Sequence, residues 1–142
     1  MVFLAQTDTT VGFLSHSYKD INTIKSRKLN QRVLLETANL SYLKSYTRVP
    51  NVLKKRLRRQ EKVTFILKNK KSFRVVRDQT HLLFLEKFGM LYSSSANLSS
   101  KPFCLQWAKK MADILVIDRR GYQEKDASKI YKISEIKLRK IR

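Results

Sequence analysis

The protein has 142 residues, of which 42% are hydrophobic and 10% are aromatic, enough for the core of one domain. Its 31 lysines and arginines against 11 acids give a net charge of +20, which is typical of proteins that contact polyanions but also of hosts whose proteins are generally basic. No apolar run reaches the roughly 18 residues of a membrane-spanning helix, and the N-terminus lacks the basic lead of a signal peptide, so we expect a cytoplasmic protein.

The first half of the chain predicts strands and short helices. VFLAQ predicts an opening strand, followed by the turn-rich TDTTVG, and the spacing of Ile21 and Ile24 predicts a short helix in YKDINTIKSRK. RVLLE has the composition of a buried strand, whereas ANLSYLKSY and NVLKKRLRRQ have helical patterns, the second after Pro50. KVTFILK and SFRVVR are β-branched and aromatic runs separated by NKK, which predicts a hairpin.

The second half continues in the same manner. QTHLLFLEKFG predicts a helix that stops at Gly89, MLYSS a short strand, PFCLQWAKKMA a helix that begins at Pro102, and DILVID another strand. After the turn-like RRGYQEKD, the segments SKIYKI and IKLRKI predict two edge strands, since their lysines suit an exposed edge. Because hairpins interrupt the alternation, we expect an α/β fold with a mixed sheet.

The residues present exclude several kinds of catalytic site. The chain has only three glycines and no Gly-rich phosphate loop. Cys104 is the only cysteine, and without a nearby histidine it is expected to be a buried structural thiol. His16 and His81 lie far apart in the chain, so neither a zinc site nor a histidine-activated nucleophile is expected. Any catalysis has to depend on positioning and charge.

Two short polar segments are candidates for ligand contacts. TDTT, with Thr7 and Thr9, follows the first strand where α/β sheets bind ligands, although such turns also occur without a ligand. Lys25 and Arg27 are two residues apart, which places both side chains on one side if the backbone is extended there. With so basic a composition, about seven such pairs arise by chance.

The segment YSSSANLSSKPF is more polar than a turn requires. Ser93, Ser95 and Asn97 have a spacing of two, so an extended backbone would present two hydroxyls and an amide to one side. A plain strand-to-helix connection is the alternative. Ordinary turn and cap roles are assigned to Ser94, Ser99 and Ser100.

A basic run extends from Arg48 to Arg77, with twelve lysines or arginines and the single acid Glu61. The run is either a solvated face or a contact for double-stranded RNA or tRNA. The candidate RNA contacts are Lys54, Lys55, Arg56, Arg58 and Arg59.

Taken in order, these segments resemble the YrdC-like family of threonylcarbamoyl-AMP synthases. FLAQTDTTVGF resembles the family's P-T-[DE]-T-x-[YF]-G, KSR its K-x-R, KVTFIL its G-P-x-T-[FL], SFRVV its V-R-[VIL] and SSSANLSS its S-T-S-A-N-x-S-G. ASKIYKI near the end resembles P-S-T-[IV]-[VI]-D. The sequence departs from the family pattern at Gln6, at Val11, where an aromatic would form a wall of the pocket, at Phe73 and at Ser100.

The resemblance implies a single YrdC-like domain over residues 1–142, without the usual N-terminal lead-in helix. Its fold would be a twisted open mixed sheet flanked by helices, with a positively charged concave face. The implied reaction converts L-threonine, bicarbonate and ATP into threonylcarbamoyl-AMP and pyrophosphate, for threonylcarbamoyladenosine modification by a downstream tRNA transferase machinery. ATP would be a substrate with Mg²⁺, and no tightly bound metal or organic cofactor is implied. The alternative is a non-catalytic RNA-binding module on the same fold.

The resemblance also implies roles for individual residues. Lys25 and Arg27 match the K-x-R and would neutralise phosphate and carboxylate charge, while Ser95 and Asn97 match the S-x-N and would bond the phosphate and acyl group. These four are the implied catalytic residues. The implied ATP-binding set adds Ser93 and Ser128, and the implied threonine-binding set is Thr7, Thr9 and Arg74.

Overall fold

The computed structural model describes residues 1–133 and 138–142. Within these ranges the chain forms nine strands and five helices. The strands are β1 (Phe3–Gln6), β2 (Val11–Ser15), β3 (Leu34–Thr37), β4 (Val63–Ile66), β5 (Ser72–Val75), β6 (Met90–Ser95), β7 (Ile114–Leu115), β8 (Lys129–Ile133) and β9 (Leu138–Lys140). The helices are α1 (Tyr18–Ile24), α2 (Leu40–Tyr46), α3 (Asn51–Leu57), α4 (Gln79–Leu85) and α5 (Leu105–Met111).

The strands form one sheet in the order β7-β1-β2-β6-β3-β5-β4-β8-β9. Three neighbouring pairs are parallel, β1 with β7, β3 with β5 and β4 with β8, and the other five are antiparallel. The prediction of an α/β fold with an open mixed sheet is therefore confirmed. No helix in the described ranges is long and apolar enough to cross a membrane.

One face of the central strands is packed by helices. Leu35, Phe65 and Phe73 are buried on β3, β4 and β5 and form one apolar cluster with Leu43 of α2 and Leu57 of α3. Because successive strand residues point to opposite faces, their chain neighbours lie on the other side of the sheet. That other face holds the cleft described below.

Two helices begin at side-chain caps. The side chain of Asn39 accepts hydrogen bonds from the backbone N–H groups of Ser41 and Tyr42. The side chain of Asp78 accepts one from the backbone N–H of His81. Helix α4 ends at Leu85, and Gly89 closes the following turn at a φ of +78° with its N–H on the Leu85 carbonyl. This conformation favours glycine, as predicted for the stop.

The structure corrects several sequence predictions about the N-terminal and C-terminal strands. Strand β2 was not predicted, because all of Val11–Ser15 is buried and the segment has no period-two pattern. Val11 is 1% exposed in an apolar cluster with Phe13, so this position is not a wall of the cleft. Strand β8 lies between β4 and β9, and the two edge strands are β7 and β9. Of the predicted strand IKLRKI, residues 136 and 137 lie outside the described ranges.

The predicted start of α5 at Pro102 and the predicted burial of Cys104 are also wrong. The helix begins at Leu105, because Phe103 packs against the cluster around Phe13 and Cys104 is extended, with a φ of −131°. Cys104 is exposed at the N-cap of the helix. Its thiol therefore contributes little to the core.

Candidate active-site cleft

A cleft of about 300 Å³ lies on the face of the sheet opposite the cluster around Phe65 and Phe73. Its floor consists of alternate residues of neighbouring strands, since the register places Arg74, Thr64 and Ile130 side by side across β5, β4 and β8. Glu36 of β3 is beside Arg74 in the same row but is fully buried and does not line the cleft. Hydroxyl side chains of the turn after β1, of β4, of β6 and of the segment before β8 surround this floor. Four arginines line the cleft, Arg27, Arg32, Arg74 and Arg142, and none of the described lining residues carries a carboxylate.

Lys25 joins the end of α1 to β6. The side chain is buried, and its Nζ donates to the Ser95 carbonyl at 2.5 Å, with Ser95 Oγ and Asn97 Oδ1 each 3.4 Å away. Burial, followed by the charge of Arg27, lowers the pKa of Lys25 to about 8. The ammonium therefore carries a charge at neutral pH that no carboxylate of the described residues offsets.

From the spacing of Lys25 and Arg27, an extended backbone was required to place both side chains on one side. The backbone of this segment is not extended. Lys25 has φ −85° and ψ 5°, and Ser26 is left-handed at φ 54°. This tight turn still brings both side chains to β6, because Arg27 Nη2 donates to Ser94 Oγ at 3.4 Å. Ser94 thus contacts the cleft and is more than an ordinary turn residue.

Arg27 and Arg32 are the cations of the cleft that are most available to a ligand. Burial lowers the pKa of Arg27, and its Nε has no hydrogen-bond partner among the described residues. Arg32 is exposed and forms no ion pair within the same ranges. Sequence reasoning missed Arg32 and Arg142. The available signal for Arg32 was its place as the first residue of the apolar segment RVLLE, five residues after Arg27.

The three polar residues predicted after the strand MLYSS have different positions. Ser93 and Ser95 line the cleft, Ser93 being buried and Ser95 exposed. Asn97 lies beyond β6, and its Nδ2 donates to the carbonyls of Leu98 and Lys101. Asn97 therefore contacts Lys25 and the loop after β6, and it does not line the cleft itself. Ser100 is left-handed at φ 63°, a conformation that favours the glycine of the family motif.

The turn after β1 is closed by its own threonines. Thr7 Oγ donates to the Thr10 carbonyl at 2.6 Å and accepts from the Thr9 N–H at 3.1 Å. Arg120 ties this turn to the loop after β7, since its guanidinium donates to the carbonyls of Gln6 and Thr7 and pairs with two aspartates. The turn is thus held before any ligand binds.

Arg74 lies at the floor of the cleft within a buried polar cluster. Its Nε donates to Asp8 Oδ1 at 3.1 Å, and its Nη2 forms an ion pair with the same oxygen at 3.0 Å. Nη2 donates to Glu36 Oε1 and, at 3.4 Å, to Thr9 Oγ. Glu36 Oε2 lies 2.6 Å from His81 Nε2. Sequence reasoning missed Glu36 and His81, although an acid inside RVLLE and a histidine on an apolar helix were available signals.

The acids of this cluster respond differently to burial. Burial raises the pKa of Asp8, and the charge of Arg74 opposes the rise only in part. Burial would also raise the pKa of Glu36, but the charges of Arg74 and His81 and hydrogen bonds from His81 and Ser93 outweigh it and lower this pKa to about 2. Glu36 is therefore ionised at neutral pH.

The described residues offer no convincing ligands for a metal. The side chains of Asp8, Glu36 and His81 approach one another within 4.8 Å, but the Arg74 guanidinium already pairs with both acids. None of the described residues that line the cleft has the carboxylate side chain that Mg²⁺ favours in proteins. This part of the cleft therefore does not fit Mg²⁺.

Ser128 closes the far side of the cleft. It is 5% exposed, and its Oγ is 2.7 Å from Thr64 Oγ on β4. The segment before β8 is thereby attached to the cleft floor.

The candidate RNA contacts lie on and just after α3, away from the cleft. Lys54 and Arg58 line a second cleft of about 430 Å³ together with Lys44 and Arg48, and no described lining residue there is acidic. Arg56 lies over the ring of Tyr131 at 5.1 Å. The remaining two, Lys55 and Arg59, are exposed.

Comparison with known proteins extends these observations. A family model named Sua5/YciO/YrdC and described as "Telomere recombination" matches residues 2–142. No curated protein matches the sequence. The fold is similar to that of Sua5 from P. abyssi complexed with L-threonine (TM-score 0.78, 15% identity, 99% of this chain and 49% of that chain). It is also similar to YciO from E. coli (0.76, 19%, 99% and 82%).

Full-length HypF in its phosphate- and nucleotide-bound form is a third similar structure (TM-score 0.75, 15% identity, 99% of this chain and 26% of that chain). The chain spans about half the length of the Sua5 structures. Identities of 15% to 19% show a shared fold.

Proposed function

The chain belongs to the Sua5/YciO/YrdC family, and we propose that it is a threonylcarbamoyl-AMP synthase. The family includes the Sua5 threonylcarbamoyl-AMP synthases. The observation that carries the proposal is the cleft itself, where Arg27 and Arg32 lie among hydroxyl groups and no described lining residue has an acidic side chain. Lys25 is buried directly behind this lining, with its Nζ on the carbonyl of Ser95. Such a site favours a substrate with several negative charges, as ATP has.

The chemistry requires little beyond alignment and charge. Threonine and bicarbonate form a carbamate with loss of water, and a carbamate oxygen then attacks the α-phosphorus of ATP as the bond to pyrophosphate breaks. Both reactants are anions, so a site that holds them together must offset their repulsion. Fixed cations and hydrogen-bond donors are sufficient for this.

The positions of the side chains suggest a division of roles. Lys25 and Arg27, next to Ser95 and Ser94, would neutralise the phosphates, and Arg32 would extend this cationic wall. Ser93 and Ser128 are further hydroxyl contacts for the nucleotide. Asn97 would hold Lys25 in place.

The threonine would bind at the turn after β1. Thr7, Thr9 and Arg74 line this part of the cleft. Since Asp8 and Glu36 already hold the Nε and Nη2 of Arg74, its Nη1 is the group left for a carboxylate. The similarity of the fold to a Sua5 complexed with L-threonine supports threonine as the ligand. The product would pass to the tRNA-modifying transferase machinery.

The test is release of pyrophosphate by the purified protein. We expect release only when threonine, bicarbonate and ATP are all present, because the attacking group is the carbamate. Ser95→Ala should lower kcat by about 10-fold or more through loss of one donor, whereas Ser45→Ala, at an exposed serine of α2, serves as the control. Pyrophosphate release that does not require threonine, or no release by the unaltered protein, would contradict the proposal.

The second basic cleft supports a second candidate function, binding of tRNA or double-stranded RNA through phosphate contacts. Lys54 and Arg58 line this cleft without a described acid nearby. Replacing both by Gln should weaken RNA binding and reduce the slope of log K against log salt by about 2. Lys109→Gln with Lys110→Gln, two exposed cations on α5, is the matched control. Equal losses in both variants would show that only net charge matters.

A further inference from the structure

A chain of buried polar contacts leads from α4 to the floor of the cleft. His81 Nε2 is 2.6 Å from one oxygen of Glu36, and the other oxygen accepts from Arg74 Nη2. The three residues are 1%, 0% and 3% exposed. Buried groups linked in this way restrict one another strongly, because each would lose a hydrogen bond that water cannot replace.

The contacts restrict one side of the guanidinium more than the other. Asp8 and Glu36 hold the Nε and Nη2 of Arg74, and Nη2 also donates to Thr9 Oγ at 3.4 Å. Nη1 is the nitrogen of the guanidinium that neither acid contacts. Nη1 has only a 3.4 Å contact to Thr64 Oγ within the described ranges. Since Arg74 and Thr64 both line the cleft, Nη1 is the donor that faces a ligand.

His81 contacts the oxygen of Glu36 that Arg74 does not take. Its Nε2 lies 2.6 Å from Glu36 Oε2, while Oε1 accepts from Arg74 Nη2. Both oxygens of the carboxylate are therefore held, and His81 fixes the orientation of the group that holds Arg74.

We propose that Glu36 and His81 are positioning residues, which hold Arg74 with Nη1 toward the cleft, so that Arg74 binds a carboxylate ligand. The proposal rests on the proposed function in one respect: the ligand tested is threonine. His81 touches no cleft ligand itself, because it is buried behind Glu36. Its effect has to pass through Glu36 to Arg74.

The experiment compares two substitutions of His81. His81→Gln retains a donor at the reach of the imidazole Nε2, whereas His81→Leu removes it. We expect His81→Leu to raise the KM for threonine by about 10- to 100-fold while kcat and the KM for ATP change little. His81→Gln should keep a KM for threonine close to that of the unaltered protein. If His81→Leu does not fold, His81→Asn, whose amide is too short to reach Glu36, takes its place.

A second measurement is independent of activity. The NMR signal of the Arg74 Nε–H, assigned by its loss in Arg74→Met, should exchange slowly with water in the unaltered protein and in His81→Gln, and quickly in His81→Leu. An unchanged threonine KM together with an unchanged signal in His81→Leu would overturn the proposal, even if the melting temperature fell. Absence of synthase activity in the unaltered protein would contradict only the proposed function, since the NMR signal still decides whether His81 holds Arg74.

Discussion

Replacing Lys25 by Met should reduce kcat for pyrophosphate release by about 100- to 1,000-fold, the usual cost of removing one fixed donor from developing charge. Methionine keeps most of the buried stem of the lysine and removes only the charged group. Because the Lys25 ammonium is buried without a described carboxylate partner, its removal should not lower the melting temperature. The measurement is initial-rate kinetics with a parallel thermal melt.

Lys28→Met is the matched control for this substitution. Lys28 follows the same turn but is exposed. Its replacement should leave kcat within a few-fold of the original value. Equal losses in both variants would mean that general positive charge, and not the position of Lys25, supports the reaction.

The pKa of Lys25 gives the same prediction a pH dependence. The pKa is lowered to about 8, so the ammonium loses its proton as pH rises through this value. The phosphates of ATP are fully ionised above pH of about 7. The affinity for ATP, measured by calorimetry, should therefore fall between roughly pH 7.5 and pH 9 in the unaltered protein. In Lys25→Met it should stay constant over the same range. The same decline in both proteins would count against the assignment.

The largest loss of stability is expected for Arg74→Met. Removal of the guanidinium leaves Asp8 and Glu36 buried without their cation, and breaking a buried ion pair in this way costs about 3–5 kcal/mol. For a chain of this size the melting temperature should fall by roughly 10–15 °C. Arg59→Met, an exposed arginine after α3, is the control and should change little. Thermal melts at pH 7 measure both.

The deficit of Arg74→Met should shrink in acid. The pKa of Glu36 is lowered to about 2 in the folded protein, below its ordinary value of 4.5. Its contribution to stability is therefore present above pH 4.5 and is lost as pH falls toward 2. The variant has no such contribution to lose. Adding Asp8→Asn and Glu36→Gln to Arg74→Met should recover much of the stability at pH 7, and a triple variant as unstable as the single one would contradict this explanation.

The strands and helices of this protein were largely predictable from local pattern. KVTFILK and SFRVVR are the antiparallel pair β4 and β5, and RVLLE contains β3. These strands were predicted correctly because β-branched and aromatic runs between polar turns favour the strand conformation, whichever strand they pair with. Strand β2 was not predicted, because its five residues are all buried and do not alternate between apolar and polar.

The candidate site was predictable only in part. The order of TDTT, KSR and SSSANLSS indicated which segments converge, and the cleft contains residues of all three. Local sequence did not distinguish the important cations, because lysines and arginines are abundant throughout the chain. Burial and pairing make that distinction: Lys25 has no described acid partner, whereas Arg74 is shared by two.

The sequence alone determined the α/β class, the sequence of most elements and the three polar segments, because these depend on periodicity and on residue type within a few positions. Tertiary structure decided the order of the sheet, the contact of Lys25 with Ser95 and the cluster of Glu36, Arg74 and His81. These contacts join residues 38 to 70 positions apart. Strand pairing across the whole sheet brings them together, and no local pattern specifies which strand lies beside which.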